Sequence, residues 1–247
     1  MGGGNTSGEE IKVEVLILGS EAAGAKAAIE AQEDGADVLV VTKGLVGKSG
    51  NTVMAGWGIQ APLGHMDSRD NPDVFFEDVV KGGSYLNNQK LVERLVTLSV
   101  TEIPKMEKWG ANFMKTGNKF IQYQLPGSSY PRTLHPIGYH GGLQWRKAFK
   151  SQFKRLRTKI MEDLFVTSLL LSDGQVAGVL GLSLSEGQFK IIRAKTTILA
   201  TGGCSQVYRK TDASLDATGD GMALAFNAGE VERYQALQKE KERLEAT

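Results

Sequence analysis

The chain has 247 residues, 41% apolar and 23% charged, a soluble globular mix with room for one large domain or a domain plus a small appendage. A formal net charge of +1 gives no global field for nucleic acid, and a single cysteine excludes an internal disulfide or a thiolate metal cluster. One thiol fits a reducing, cytoplasmic setting. No apolar run is long enough to span a bilayer, and the Gly-rich, polar start does not resemble a secretory signal. Residues 1–11 are expected to be a disordered lead-in. Many of the 30 glycines cluster, which suggests backbone wrapped closely around something.

Val13, Val15, Leu16, Ile17 and Leu18 form an apolar, β-branched run ending at Gly19, the pattern of a buried parallel strand. Ala22 to Glu33 is alanine-rich and predicts a helix stopped by Gly35, and Val38 to Val41 is a second strand. Together they make a βαβ unit. A Gly-rich loop follows from Gly44 to Gly58. Asn71 and Pro72 stand as N-cap and first residue of a helix reaching about Lys81, and a longer helix is predicted from Gln89 to Trp109, stopped by Gly110. Thr116 to Pro136 reads as irregular or hairpin structure. Gly141 to Lys159 reads as a basic amphipathic helix, its charges forming a solvated face.

From Leu164 the periodicity changes. Leu164 to Leu171, Val176 to Ser183 and Phe189 to Arg193 are short strands split by Ser172-Asp173-Gly174 and Ser185-Glu186-Gly187, an antiparallel meander. Thr196 to Ala200 is a further buried strand ending in Thr201-Gly202-Gly203. A short helix from about Asp220 to Ala228 closes at Gly229. The expected organisation is one α/β domain over residues 12–229, with a Rossmann-like parallel sheet plus the meander, and a charged helical tail over 230–247.

Gly19-Ser20-Glu21-Ala22-Ala23-Gly24 lies between the first strand and helix. It matches G-x-G-x-x-G except that Glu21 replaces the middle glycine. The first glycine serves the tight turn and the last serves close helix–strand packing. The helix N-terminus then receives a dinucleotide pyrophosphate. Glu21 adds bulk and negative charge, which is unfavourable unless it points away. An NAD site usually places an acid at the end of the second strand; Thr42 and Lys43 stand there instead.

Further segments carry a specific resemblance. They are Ser49-Gly50-Asn51-Thr52-Val53-Met54-Ala55-Gly56-Trp57-Gly58-Ile59; Phe76-Glu77-Asp78 and Lys81 to Asn87; Trp109-Gly110; Tyr130 to His135; Ala200 to Gly203; and Ala217 to Ala223. In order and spacing the chain resembles the flavoprotein subunits of succinate dehydrogenase and fumarate reductase, and L-aspartate oxidase. The resemblance implies an FAD-binding domain. Gly19, Ser20, Glu21, Ala22, Ala23 and Gly24 would surround the pyrophosphate, and Thr42, Lys43 and Gly44 the adenosine ribose. Ser49, Asn51, Thr52, Ala55, Gly56, Trp57 and Gly58 would pass beside the isoalloxazine ring, and Val166 would meet adenine. Ala200, Thr201 and Gly202 would turn close to the cofactor, and Asp220 would bond the ribityl or pyrophosphate region. Asp220 could instead be a plain helix cap, and Trp109 reads as a core aromatic. His65, His135 and His140 are too scattered for a metal site. His135 resembles a position near the family's active site. Arg132 and Arg146 have the planar fork that suits a dicarboxylate.

The sequence departs from the family in three places. Asn51 stands where membrane-bound members carry the histidine that bonds FAD covalently, so FAD here should be non-covalent. Glu21 is the second departure. The third is that the likeness ends after Gly229, before the capping and helical domains that complete the family's catalytic apparatus; catalytic residues are therefore unknown. The resemblance implies hydride transfer between a dicarboxylate and FAD, with iron–sulfur and membrane-anchor subunits as partners if the protein is respiratory. It would then be cytoplasmic, or peripheral to the membrane through those partners. An L-aspartate oxidase-like flavoprotein, a non-catalytic module without FAD, and an NAD-dependent dehydrogenase are the alternatives.

Overall fold

A computed structural model describes residues 10–56, 58–138 and 140–229. In chain order the elements are β1 (Glu10–Leu18), α1 (Ala22–Glu33), β2 (Val38–Val41), β3 (Ile59–Gln60), α2 (Pro72–Gly82), α3 (Gln89–Lys108), β4 (Lys115–Thr116), β5 (Lys119–Phe120), β6 (Gln122–Tyr123), β7 (Thr133–Leu134), α4 (Gly141–Leu156), β8 (Lys159–Met161), β9 (Leu164–Ser172), β10 (Gln175–Ser183), β11 (Phe189–Leu199) and α5 (Asp220–Asn227). They fall into two compact units, residues 52–152 and the segments on either side of them.

The flanking segments build one six-stranded sheet, in the order β8-β2-β1-β11-β10-β9. β8, β2, β1 and β11 run parallel, and β11, β10 and β9 antiparallel. The apolar run predicted as β1 is buried on both faces, as a central parallel strand must be. Leu16 and Leu18 join Leu39, Val41, Leu164, Val179, Ile192 and Leu224 in one core cluster. Ile17 is fully buried, as are Ala25, Ala28 and Ile29 of α1, which packs on β1, β2 and β11. Burying a Leu or Ile side chain contributes about 1.5–3 kcal/mol, so this consecutive apolar run holds β1 at the centre of the sheet, covered on both faces. The hairpin between β9 and β10 turns through Asp173 (φ 52°) and Gly174 (φ 71°), the left-handed pair a two-residue turn requires.

Three boundaries differ from expectation. β1 begins at Glu10, because residues 10 and 11, read as lead-in, pair with Ile191 and Ile192. The basic helix stops at Leu156: Arg157 turns with φ 52°, and Lys159 enters β8, where the exposed edge of β2 offers Leu39 to Val41 as pairing partners. The two strands expected over 189–193 and 196–200 are one strand, β11, which bonds β10 on one side and β1 on the other. The rest of the lead-in and the charged tail from residue 230 lie outside the described residues.

Within residues 52–152, α2 and α3 pack through Phe75, Val80, Val92 and Val96. Asn71 caps α2 as predicted, its side chain accepting from the amides of Asp73 and Val74 at 3.0 and 3.1 Å. Small antiparallel pieces, β3-β7-β6 and β4-β5, supply the hairpin structure expected near 116–136. Trp109, read as a core aromatic, is half-buried, its ring 6.4 Å from that of Phe149.

Candidate functional site

Where the parallel strands end at their C-terminal edge, a cleft opens, the usual ligand position of an α/β sheet. The sequence folds this way because its turns are built for close approach. Gly19 has φ 112°, and a Cβ on it would lie 2.1 Å from the carbonyl oxygen of Ala200. A Cβ on Gly24 would lie 1.9 Å from the carbonyl oxygen of Gly19. The first and last glycines of the fingerprint therefore let α1 and β11 close on the β1–α1 turn. Similarly, a Cβ on Gly221 would lie 2.0 Å from Thr201 Oγ1, so the first turn of α5 also presses on the cleft's rim.

Of the residues predicted to hold a cofactor, Gly19, Ser20, Glu21, Thr42, Lys43, Gly44, Ser49, Asn51, Val166, Ala200, Thr201, Gly202 and Asp220 all line this cleft. Ala22 and Ala23 begin α1 just behind it, and Gly24 is the packing glycine. Thr52, Ala55, Gly56 and Gly58 belong to the second unit and do not line the cleft. Ala55 accepts the amide of Gly142 at 2.7 Å, and a Cβ on Gly58 would lie 1.8 Å from the Leu134 carbonyl oxygen. Trp57 lies outside the described residues.

The polar groups of the cleft are tied to one another. The Lys43 ammonium donates to Asp220 Oδ2 at 2.5 Å and to Thr218 Oγ1 at 2.6 Å, and the Thr218 hydroxyl donates to Asp220 Oδ1 at 2.8 Å. Asp220 is thus an ion-pair partner; the N-cap of α5 is Gly219, at φ 82°. Asn51 Oδ1 accepts the Ser214 amide at 2.7 Å, and Asp216 Oδ2 accepts the Gly50 amide at 2.8 Å. Sequence reasoning missed Asp216, Leu224 and Gly203 as lining residues. Asp216 sits in a loop with no motif of its own, and only its nearness to Thr218-Gly219-Asp220 could have flagged it.

Other singled-out residues have structural roles. Arg132 is fully buried, its Nη2 within 2.8 Å of both Asp70 and Asp78 and its guanidinium 4.6 Å above the Phe75 ring, so burial beside two carboxylates keeps it from a dicarboxylate in solvent. Burial pushes the Asp70 carboxyl up against the pull of Arg132. Burial also raises Asp78, but its bonds from Ser129 and the charge of Arg132 outweigh that and hold it below the ordinary range. His65 Nδ1 accepts the Phe120 amide at 2.9 Å, and His65 stacks on the Phe120 ring at 5.6 Å. Burial, then Lys119 and Lys115, lowers its pKa. His135 is buried edge-on to Tyr123 at 4.6 Å, whereas His140 and Arg146 are exposed. Among the described residues no group of His, Cys, Asp and Glu is arranged to hold a metal, and no helix is long and apolar enough to cross a membrane.

The cleft fits a dinucleotide: main chain approaches where side chains are excluded, and α1 begins immediately behind Ser20 and Glu21. A family model described as "FAD binding domain" matches residues 14–237. A fumarate reductase (CoM/CoB) subunit of Methanothermobacter marburgensis is 37% identical over 225 residues, covering 90% of this chain and 40% of that protein. An uncharacterized FAD-dependent oxidoreductase of Methanocaldococcus jannaschii is 40% identical over 220 residues, covering 89% of this chain and 40% of that protein. The structure of Mycobacterium smegmatis Sdh1 in complex with UQ1 superposes with a TM-score of 0.86 at 33% identity, covering 89% of this chain and 39% of that one. The chain belongs to the FAD binding domain family and is similar to succinate dehydrogenase and fumarate reductase flavoprotein subunits, and its cofactor is FAD. It spans about 40% of the length of the curated relatives it matches.

Proposed function

We propose that this chain holds FAD non-covalently as the cofactor-binding portion of a C4-dicarboxylate oxidoreductase. The observation that carries this reading is the convergence, in one cleft, of the β1–α1 turn, the end of β2, the Ser49–Asn51 turn, the Ala200–Gly202 turn and Asp220. When bound, FAD supplies two-electron redox chemistry at its isoalloxazine ring. The residues of the chain do the holding. Gly19 and Ser20, with the N-terminus of α1, take the pyrophosphate, and Thr42 to Gly44 take the ribose side. Val166 borders the adenine, and the Lys43–Asp220 pair fixes the rim.

Asn51 supports the non-covalent assignment. An amide is not a nucleophile, and its Oδ1 already accepts from Ser214. Hydride transfer between succinate and fumarate, and association with iron–sulfur and membrane-anchor subunits, are proposed for the complete protein on the strength of relatives named as flavoprotein subunits. The test is a visible spectrum of the purified chain before and after FAD, followed by acid precipitation and dye-linked assays with succinate and fumarate. The expected outcome is a flavin spectrum whose colour stays in the acid supernatant, with no dicarboxylate turnover by the chain alone. A protein that stays colourless after FAD addition refutes FAD binding. Colour in the acid pellet refutes non-covalent attachment.

A further inference from the structure

We infer that Glu21, standing where the glycine fingerprint has its middle glycine, is a positioning residue that fixes the Ser49–Asn51 wall of the cleft. The inference rests on the FAD-binding reading above. Glu21 is the N-cap of α1, yet its side chain makes no capping bond to that helix. Its Oε2 instead accepts the Asn51 amide at 3.0 Å. The carboxylate lies so close to the turn that a Cβ on Gly50 would fall 1.4 Å from Glu21 Oε1, and Gly50 has φ 85°. From the other side, Asp216 Oδ2 accepts the Gly50 amide at 2.8 Å and the Ser214 hydroxyl at 2.9 Å. Two successive amides of the wall are therefore each held by a carboxylate, one from the β1–α1 turn and one from the loop before α5.

This arrangement turns the apparent defect of the fingerprint into a fastening. A carboxylate aimed at the N-terminus of α1 would repel a pyrophosphate. Turned onto the Asn51 amide, it leaves the helix end to the ligand and spends its charge on a backbone donor. Gly50 is then required as the partner of Glu21, since any side chain there would displace the carboxylate. Restoring the consensus glycine at position 21 should consequently weaken FAD binding, although the consensus motif predicts the opposite.

The test uses the full chain, four single variants, Glu21→Gln, Glu21→Ala, Glu21→Gly and Gly50→Ala, and the double variant Glu21→Gly with Gly50→Ala. It reads FAD affinity by fluorescence titration and, in the FAD-free protein, hydrogen exchange at the Asn51 amide. Glutamine keeps an acceptor of the same reach, so Glu21→Gln should stay within about threefold of wild type; Glu21→Ala and Glu21→Gly should bind about tenfold more weakly and exchange faster at Asn51. Gly50→Ala should weaken binding more in the wild-type background than beside Glu21→Gly, where the carboxylate is gone. FAD binding by Glu21→Gly as tight as wild type, or tighter, overturns the inference, as does unchanged exchange at Asn51. Wild type that takes up no FAD overturns the underlying reading instead, and the two failures are distinct. Glu21→Ala covers the case in which a glycine N-cap impairs folding.

Discussion

Gly24→Ala adds a single methyl group where α1 meets the β1–α1 turn. The new Cβ would lie 1.9 Å from the Gly19 carbonyl oxygen and 3.3 Å from the Ala200 Cβ. Ordinary contact begins at 3.4 Å, so the first turn of α1 must withdraw by about 1.5 Å to relieve the clash. Ala25, Ala28 and Ile29, all fully buried, would lose packing as it did so. Overpacking costs about 1–3 kcal/mol, and the better helix propensity of alanine returns at most about 1 kcal/mol. The net destabilisation should be about 1–2 kcal/mol, which lowers Tm by about 2–8 °C for a chain of this size. FAD affinity should fall with it, because the pyrophosphate end of the cleft is displaced. The assays are urea denaturation, thermal melting and FAD titration. The control is Gly82→Ala, at the end of α2 with open space around it, which should hold or gain stability. A Gly24→Ala protein as stable as wild type with unchanged FAD affinity would refute the packing argument.

Lys43→Ala should weaken FAD binding by releasing Asp220 and Thr218 at the rim. Because the pair is partly exposed, it should cost under about 1 kcal/mol of stability by denaturant titration. Arg132→Leu should destabilise the protein by about 3–5 kcal/mol, since it strands two carboxylates against a buried site; thermal melting reads this directly. For His65 the folded pKa lies below the ordinary 6.5, so the neutral form is favoured by folding. Its contribution is fully present above that ordinary value and is lost as pH falls through the lowered folded value. Melting temperatures of wild type and His65→Phe, compared between pH 7 and pH 5, should therefore converge toward acid. A wild-type advantage that grows with acidity would contradict the assignment of Nδ1 as acceptor.

The βαβ start was legible because each of its signals is local: the apolar run of β1, the alanines of α1 and the stop at Gly35 need no distant partner. The Asn71-Pro72 cap was legible for the same reason. What escaped the sequence depends on edges and distant pairings. Nothing in Lys159 to Met161 announces a strand until the edge of β2 is in place to receive it. Lys195 gave no sign that β11 continues through it, because continuity there comes from bonding to β1 on one side and β10 on the other. The turns that line the cleft were singled out by the glycine fingerprint and the family resemblance, whereas Asp216 was not, since its role is to hold the Gly50 amide across 166 residues of sequence. Arg132, attractive as an anion ligand on chemistry alone, proved to be fully buried beside Asp70 and Asp78, which no local sequence signal announces.

β11 also governs when the sheet can finish folding. It is bonded to β1 from Glu10↔Ile191 to Leu18↔Leu199, so β1, once it has left the ribosome, waits for a strand made much later. At ordinary rates of synthesis that interval is about 9–36 seconds. Throughout it, one side of β1 presents unsatisfied amides and carbonyls beside Val13, Leu16 and Leu18. Such an edge is adhesive toward other nascent chains. A chain released before Ile191 would keep that edge unpaired, and aggregation is its expected fate.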